Sequence, residues 1–353
     1  MATDILYTPV LKAKQSECIA LRRVNPKLKP LMMPLFEMQP RNTPHLLMRT
    51  VTQVEKSWEK HLPLFLDVDK KYLASNEAEA VANHAAALKR GRESGYNIIP
   101  VTGLRRSERY QGNVSSAVQQ DRRGVCLRLE NEDWLDVSEL NTKIDKMLSN
   151  LGVTAGETDL ILDFSAFLPS QTGTIVTSAT TTINSLKLLS ELRNLVVTGT
   201  AFPASLNVAP TSVKTIPRSE WIVWLELIKS YKKNLIKRMP IFGDYTIVHP
   251  VFPEIDFRYV EISPKIKYTT ESDWIYIRWK PSTKGDYSGF RDVCNLLLAQ
   301  TQYSGPDFCW GDNRISQCSK NPVDTGNPGQ WTTIGINHHL TFVTEQLASF
   351  YGL

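Results

Sequence analysis

Short apolar runs recur along the chain, and a longer stretch of helical spacing follows nearly every one. The runs are Tyr7-Thr-Pro-Val-Leu-Lys12, then 31–37, Leu64-Phe-Leu-Asp67, 97–102, 124–129, 159–163, 194–198 and 239–244. They are apolar at almost every position, the mark of strands buried on both faces. Helical patterns are predicted over 18–24, 45–58, 75–92, 114–120, 136–150, 178–192 and 219–237. Alanine and glutamate favour helix in the third of these. The alternation predicts one α/β domain built as a (β/α)8 TIM-like barrel over residues 1–250. An open doubly wound sheet is the runner-up, but neither GxGxxG nor GxxxxGK[ST] occurs.

Beyond residue 250 the rhythm breaks. Residues 251–353 predict a C-terminal α+β extension packed on the barrel, with strands over 258–262 and 274–279 and helices over 290–303 and 337–351. Asn337 would be the N-cap of the last helix. A long loop rich in Gly, Pro, Asn and Asp is predicted over 304–330; loops of this length are often functional lids or mobile segments.

The composition, 42% hydrophobic and 22% charged over 353 residues, supplies a large core and excludes a disordered chain. The net charge of +5 is mild, and Lys/Arg pairs such as Arg105-Arg106 and Arg122-Arg123 never extend into a basic run. Solvated surfaces account for them most simply; a phosphate-rich ligand or a nucleic acid is the lesser alternative. The five cysteines form no CxxC pair, and Met1-Ala-Thr-Asp leads directly into strand-like sequence. Reduced thiols and a cytoplasmic setting are expected. A metal role is conceivable for Cys309 and Cys318, although the second pair of a zinc site is missing. No apolar run reaches the roughly 18 residues needed to span a bilayer, so no membrane is expected.

Functional groups of such a barrel collect just past the C-terminal ends of its strands. Those positions hold Lys12, Glu37, Asp67, Thr102, Arg128, Asp163, Thr198 and Asp244. The carboxylates Glu37, Asp67, Asp163 and Asp244 are the catalytic candidates. They would work either as acid and base or as ligands of a divalent cation such as Mg²⁺. His249 joins them as the histidine nearest the eighth strand. Lys12, Arg128, Thr198, Gly199, Arg218 and His339 are the substrate-binding candidates, Arg128 because its planar fork suits phosphate. Gly199-Thr-Ala-Phe-Pro203 reads either as a phosphate-binding turn after the seventh strand or as a plain tight turn. At most one of His338 and His339 should face a given site, because neighbours on a helix point about 100° apart. His45, His61 and His84 read as surface or packing residues. The aromatic-basic stretch 274–279 reads as a strand with one buried face rather than a stacking platform for single strands. HExxH is lacking, and serine and cysteine nucleophiles have no support, since there is neither GxSxG nor a Cys–His pair at informative spacing.

In order along the chain, several segments resemble the Beta protein family. They are Tyr7-x-Pro-x-Leu-Lys12, Glu17-Cys-Ile-Ala-Leu21, Pro34-Leu-Phe-Glu37, Leu66-Asp67, Ile99-Pro-Val101, Gly124-Val-Cys-Leu-Arg128 and Leu160-Ile-Leu-Asp163. They continue with Gly199-Thr-Ala-Phe-Pro203, Arg218-Ser-Glu-Trp221, Gly243-Asp-Tyr245, His249-Pro250, Gly311-Asp312, Trp331 and His338-His339. Thr246 departs from the pattern, where glycine is expected. The resemblance implies a barrel-like fold and a setting in phage or phage-defence gene clusters; it brings no mechanism. Three functions follow as expectations. The first is an effector enzyme, a hydrolase or phosphodiesterase-like lyase, acting on a phosphorylated or nucleotide-like substrate. The second is a non-catalytic sensor, inhibitor or scaffold bound to a protein partner. The third is a nucleic-acid binder.

Overall fold

The computed structural model describes residues 5–40, 44–206, 208–250, 263–281, 283, 286–320 and 324–353, the side chains of 44–50 excepted. Seven strands and their helices come first: β1 (Tyr7–Leu11), α1 (Gln15–Arg22), β2 (Leu35–Met38), α2 (Pro44–Ser57), β3 (Leu64–Val68), α3 (Lys70–Ser75), α4 (Glu77–Glu93), β4 (Ile98–Thr102), α5 (Glu108–Asp121), β5 (Val125–Glu130), α6 (Val137–Leu151), β6 (Thr158–Ala166), α7 (Thr172–Ser185) and β7 (Asn194–Thr200). Then come β8 (Ser212–Pro217), α8 (Ser219–Lys232) and β9 (Ile241–Asp244). Strands β1 to β7 and β9 pair in parallel in that order, and β9 closes on β1 with Tyr7 opposite Phe242. The result is a closed eight-stranded α/β barrel of TIM type.

Both faces of these strands are buried, which is why each read as an unbroken apolar run. In β3, Phe65 points into the lumen while Leu64 and Leu66 pack outward under the helices. The lumen is filled by Val10, Leu35, Phe65, Ile99, Val101, Cys126, Ile161 and Val196. Truncating a residue such as Phe65, wholly buried here, typically costs about 3–5 kcal/mol.

The extension holds β10 (Lys265–Thr269), β11 (Asp273–Arg278), α9 (Gly289–Leu298), α10 (Trp310–Ser319) and α11 (Pro328–Tyr351). β11 is the centre of an antiparallel sheet ordered β10-β11-β8, so its third strand comes from the segment before residue 250. Its core gathers Tyr268, Ile275, Ile277, Phe290, Leu297 and Trp331. Trp274 and Tyr276 are buried on the opposite face with Phe202. Residues 274–277 are therefore covered on both sides rather than one, while Arg278 and Trp279 are half-buried.

Three expectations change. The segment 304–330 contains helix α10 rather than being loop throughout. The last helix starts nine residues earlier, at Pro328, capped by Asn327 through a capping box. Asn337 instead sits inside α11, accepting from Gly311 N (2.9 Å) and donating to Ala20 O (3.0 Å). The strand expected over 258–262 lies outside the described residues. No described helix is long and apolar enough to cross a membrane.

Candidate functional site at the barrel mouth

Strand alternation builds the mouth. Val10, Leu35, Phe65, Cys126 and Ile161 face the lumen, and a strand presents every second residue to the same face. Two positions on stand Lys12, Glu37, Asp67, Arg128 and Asp163, all buried. The guanidinium of Arg128 is the hub. Its Nη1 donates to Glu37 Oε1 at 2.8 Å and Asp67 Oδ2 at 2.7 Å. Its Nε donates to Asp163 Oδ2 at 2.9 Å, and its Nη2 to the Tyr245 hydroxyl at 2.8 Å. Lys12 pairs with Glu37 and reaches Asp69 at 3.3 Å. Arg106 holds the far side of Asp67 at 2.9 and 3.1 Å. A bulge in the β6–β7 ladder follows Asp163, and Ser165 N donates back to Asp163 Oδ1 at 2.8 Å. Bulges re-aim strand side chains in this way.

Burial alone would raise the pKa of Glu37, but Arg128 and Lys12 outweigh it and hold the carboxyl at about 2. Burial opposes the charge on Lys12, yet Glu37 lifts its pKa above the ordinary lysine value. Burial drives the Tyr245 phenol up, with Arg128 offsetting only part. These groups are therefore locked as carboxylate, ammonium and neutral phenol around neutral pH. Arg128 also stands where a divalent ion shared by Glu37, Asp67 and Asp163 would have to sit. The expected Mg²⁺ site of four carboxylates does not fit this arrangement, because a fixed cation already serves three of them and the fourth, Asp244, faces elsewhere.

Beside the hub a cleft of about 380 Å³ opens at the ends of β3, β4 and β5. Lys70, Arg105, Arg106 and Arg128 line it together with Ser107, the N-cap of α5, and three carboxylates, Glu77, Glu130 and Asp133. Glu130 and Asp133 are engaged by Arg105 at 3.0 Å each.

The remaining candidates lie apart. Asp244 precedes the inward Tyr245 by one residue and so points out of the barrel. It accepts from Tyr7 Oη at 2.6 Å and lies 2.8 Å from His339 Nε2. Burial lowers the pKa of His339, whose Nδ1 lies 2.7 Å from the Thr269 hydroxyl. Arg218 is wholly buried in the same layer, donating to Thr270 O (2.9 Å) and Gln346 Oε1 (2.9 Å), with Glu220 3.8 Å away. Burial pushes Glu220 up to about 8, with Arg218 offsetting part and Asp244 adding to it. Asp244, Arg218 and His339 thus form a second polar cluster between β9, β1, α8 and α11, shut off from the mouth. Thr198 faces the lumen but is buried, its hydroxyl without a partner among the described residues. Gly199 is a β7 residue rather than part of a turn, and an added Cβ would lie 3.1 Å from Phe167 Cε1. His249 is half-exposed on the segment after β9. Both His338 and His339 are buried and face different clusters. His84 is a packing residue stacked on Tyr110 at 5.2 Å, and His61 is exposed. The side chain of His45 lies outside the described residues.

Sequence reasoning missed Tyr245, Arg106 and Lys70. Alternation along β9 would have found Tyr245, whereas Arg106 and Lys70 sit on loop and helix positions that no strand period marks. Thr246, where the family pattern suggests glycine, has φ of 55°, left-handed backbone that glycine adopts freely. No curated protein matches the chain. The sequence model of the Beta protein family matches residues 7–345, and the chain belongs to that family.

Proposed function

We propose that the barrel mouth binds a small phosphorylated molecule and stabilises negative charge on it. The observation that carries this is Arg128, a buried guanidinium held rigid by three carboxylates at the floor of a cleft rimmed by Lys70, Arg105 and Arg106. The N–H groups of Arg128 are all directed at Glu37, Asp67, Asp163 and Tyr245, so it supplies fixed charge at the floor, and the solvent-exposed Lys70 and Arg105 at the rim are the groups that would grip a phosphate. The N-terminal end of α5 adds backbone donors at the same cleft. Hydrolysis or cleavage of a nucleotide-like phosphate ester would then lean on Lys70, Arg105 and Arg106 for the charge that develops on the phosphate oxygens, while Lys12, tied to Glu37 and Asp69, lies outside the cleft lining. Glu37, tied down at about 2, is a weak base at neutral pH. The phage or defence setting belongs to this proposal, with the phosphate ester as trigger or substrate.

A partner-binding reading has one observation in its favour. Leu135 and Leu168, 81% and 65% exposed, follow the adjacent strands β5 and β6 at the same end of the barrel. A protein covering the mouth would bury both.

The test is a thermal-shift and calorimetric screen of nucleoside phosphates and sugar phosphates against the full chain. Lys70→Ala and Arg105→Ala, both at solvent-exposed rim positions, should weaken binding without unfolding the protein. A screen without any phosphorylated ligand, or binding indifferent to both substitutions, overturns the proposal.

A further inference from the structure

A second group of chemistry-bearing side chains lies outside the mouth, where α10 crosses α11. Cys309 is the N-cap residue of α10, Asp312 lies in its first turn, and His338 comes from the middle of α11. The crossing is close because Gly311 has no side chain; a Cβ there would lie 2.6 Å from Ile334 O. One ligand atom from each residue falls within 4.8 Å of the other two. Asp312 and His338 are fully buried, while Cys309 is half-buried and gives the cluster an edge toward solvent.

The hydrogen inventory leaves a gap. His338 Nε2 lies 2.8 Å from Thr269 O. A carbonyl only accepts, so Nε2 carries the ring hydrogen and Nδ1 of the neutral ring presents a lone pair. That lone pair faces Asp312 Oδ2 at 2.8 Å, and the Cys309 sulfur lies 2.9 Å from the same oxygen. The other carboxylate oxygen already accepts from the Tyr268 hydroxyl at 2.7 Å. The thiol can donate to that oxygen, but the ring nitrogen meets it as acceptor facing acceptor. Something positive has to lie between them: an extra proton, or a metal ion.

We infer that Cys309, Asp312 and His338 are the three protein ligands of a Zn²⁺-type metal site. Thiolate, imidazole and carboxylate are the ligands this ion takes. A histidine that binds through one nitrogen and gives its other N–H to a backbone carbonyl has the outer-shell support typical of metal sites. Tyr268 supports it further, its hydroxyl on Asp312 and its ring stacked 3.8 Å from that of His338. Tetrahedral bond lengths of about 2.0–2.3 Å would require the nitrogen and the sulfur each to move away from the Asp312 oxygen by roughly half an ångström or a little more. Three protein ligands leave a fourth position, which water reaches from the side of Cys309. Loading converts the Cys309 thiol to thiolate and releases its proton to solvent. The metal role expected for Cys309 together with Cys318 is thereby redrawn. Cys318 packs in the core of the extension beside Cys294, and the other ligands come from Asp312 and His338.

Co²⁺ and Zn²⁺ added to the metal-stripped full chain test the site. Co²⁺ should give the near-ultraviolet absorption of a cobalt–thiolate bond at one equivalent, and Zn²⁺ should displace it. Cys309→Ser should lose that band, while Cys318→Ser keeps it. A second readout does not depend on the folding of any variant. Cys309 is the one cysteine of the five that is not buried, so a thiol reagent should label it in the stripped protein and Zn²⁺ should protect it. An unchanged cobalt spectrum in Cys309→Ser, or labelling of Cys309 indifferent to Zn²⁺, overturns the assignment in favour of a proton-bridged Asp312–His338 pair.

Discussion

The hydroxyl of Tyr245 lies 2.6 Å from Asp163 Oδ2, the oxygen that Arg128 also grips. Since Arg128 Nη2 donates to that hydroxyl, the phenol passes its own hydrogen to the carboxylate and closes a three-membered ring of contacts. Tyr245→Phe removes one donor to a charged acceptor and should cost about 1.5–3 kcal/mol. Arg128→Ala strands Glu37, Asp67 and Asp163 without their shared cation and should cost more, about 3–5 kcal/mol. Urea denaturation of both variants checks the order; equal losses would mean that Arg128 does not organise the floor.

Glu37 sets an acid limit. Its folded pKa of about 2 lies below the ordinary 4.5, so the unfolded chain takes up a proton first as pH falls. The stabilisation, about 3 kcal/mol by linkage, is complete above pH 4.5 and is lost as pH drops toward 2. Glu37→Gln should flatten the stability profile between those values, measured by denaturant midpoints across pH.

Glu220 works in the opposite sense. Its folded pKa of about 8 lies above 4.5, so its contribution is complete below pH 4.5 and declines as pH rises through 8. At pH 9 the native state carries a buried, poorly paired carboxylate or keeps a proton against the solvent. Glu220→Gln should therefore raise stability at pH 8–9 and leave it nearly unchanged at pH 5. An alkaline decline that persists in this variant would assign the effect to other groups.

Thr246 holds a β-branched side chain at φ 55°, with its hydroxyl buried and unpartnered among the described residues. Thr246→Gly should relieve that strain and, after the entropy cost of glycine, stabilise the protein by about 1 kcal/mol. The melting temperature reports it. A lower one would mean that the packing of the threonine methyl outweighs its backbone conformation.

The barrel was legible because eight apolar runs, each trailed by a helical pattern, fit few folds besides a closed parallel sheet. Five mouth residues were legible because each is a charged side chain at or next to the end of such a run. What failed had local causes. Asp244 was placed in the cup, but a strand reverses face with each residue, and Tyr245 holds the inward position. β8 was invisible because Ser212-Val-Lys-Thr-Ile-Pro217 is short and mostly exposed, and its partner β11 lies more than fifty residues on. α10 was hidden by Gly311, Asp312 and Asn313, weak helix formers in its first turn. The Arg218, Glu220 and His339 cluster draws on α8 and α11, and no periodicity tells which helix faces which strand end.

The borrowing of β8 by the sheet of the extension bears on how the chain can be cut. Removing everything after residue 250 would leave β8 with no neighbour to bond to and would strip Tyr7 and Asp244 of the helix that covers them. A fragment trimmed there should come out sticky and poorly soluble, not as a free-standing barrel, because the junction is woven rather than hinged.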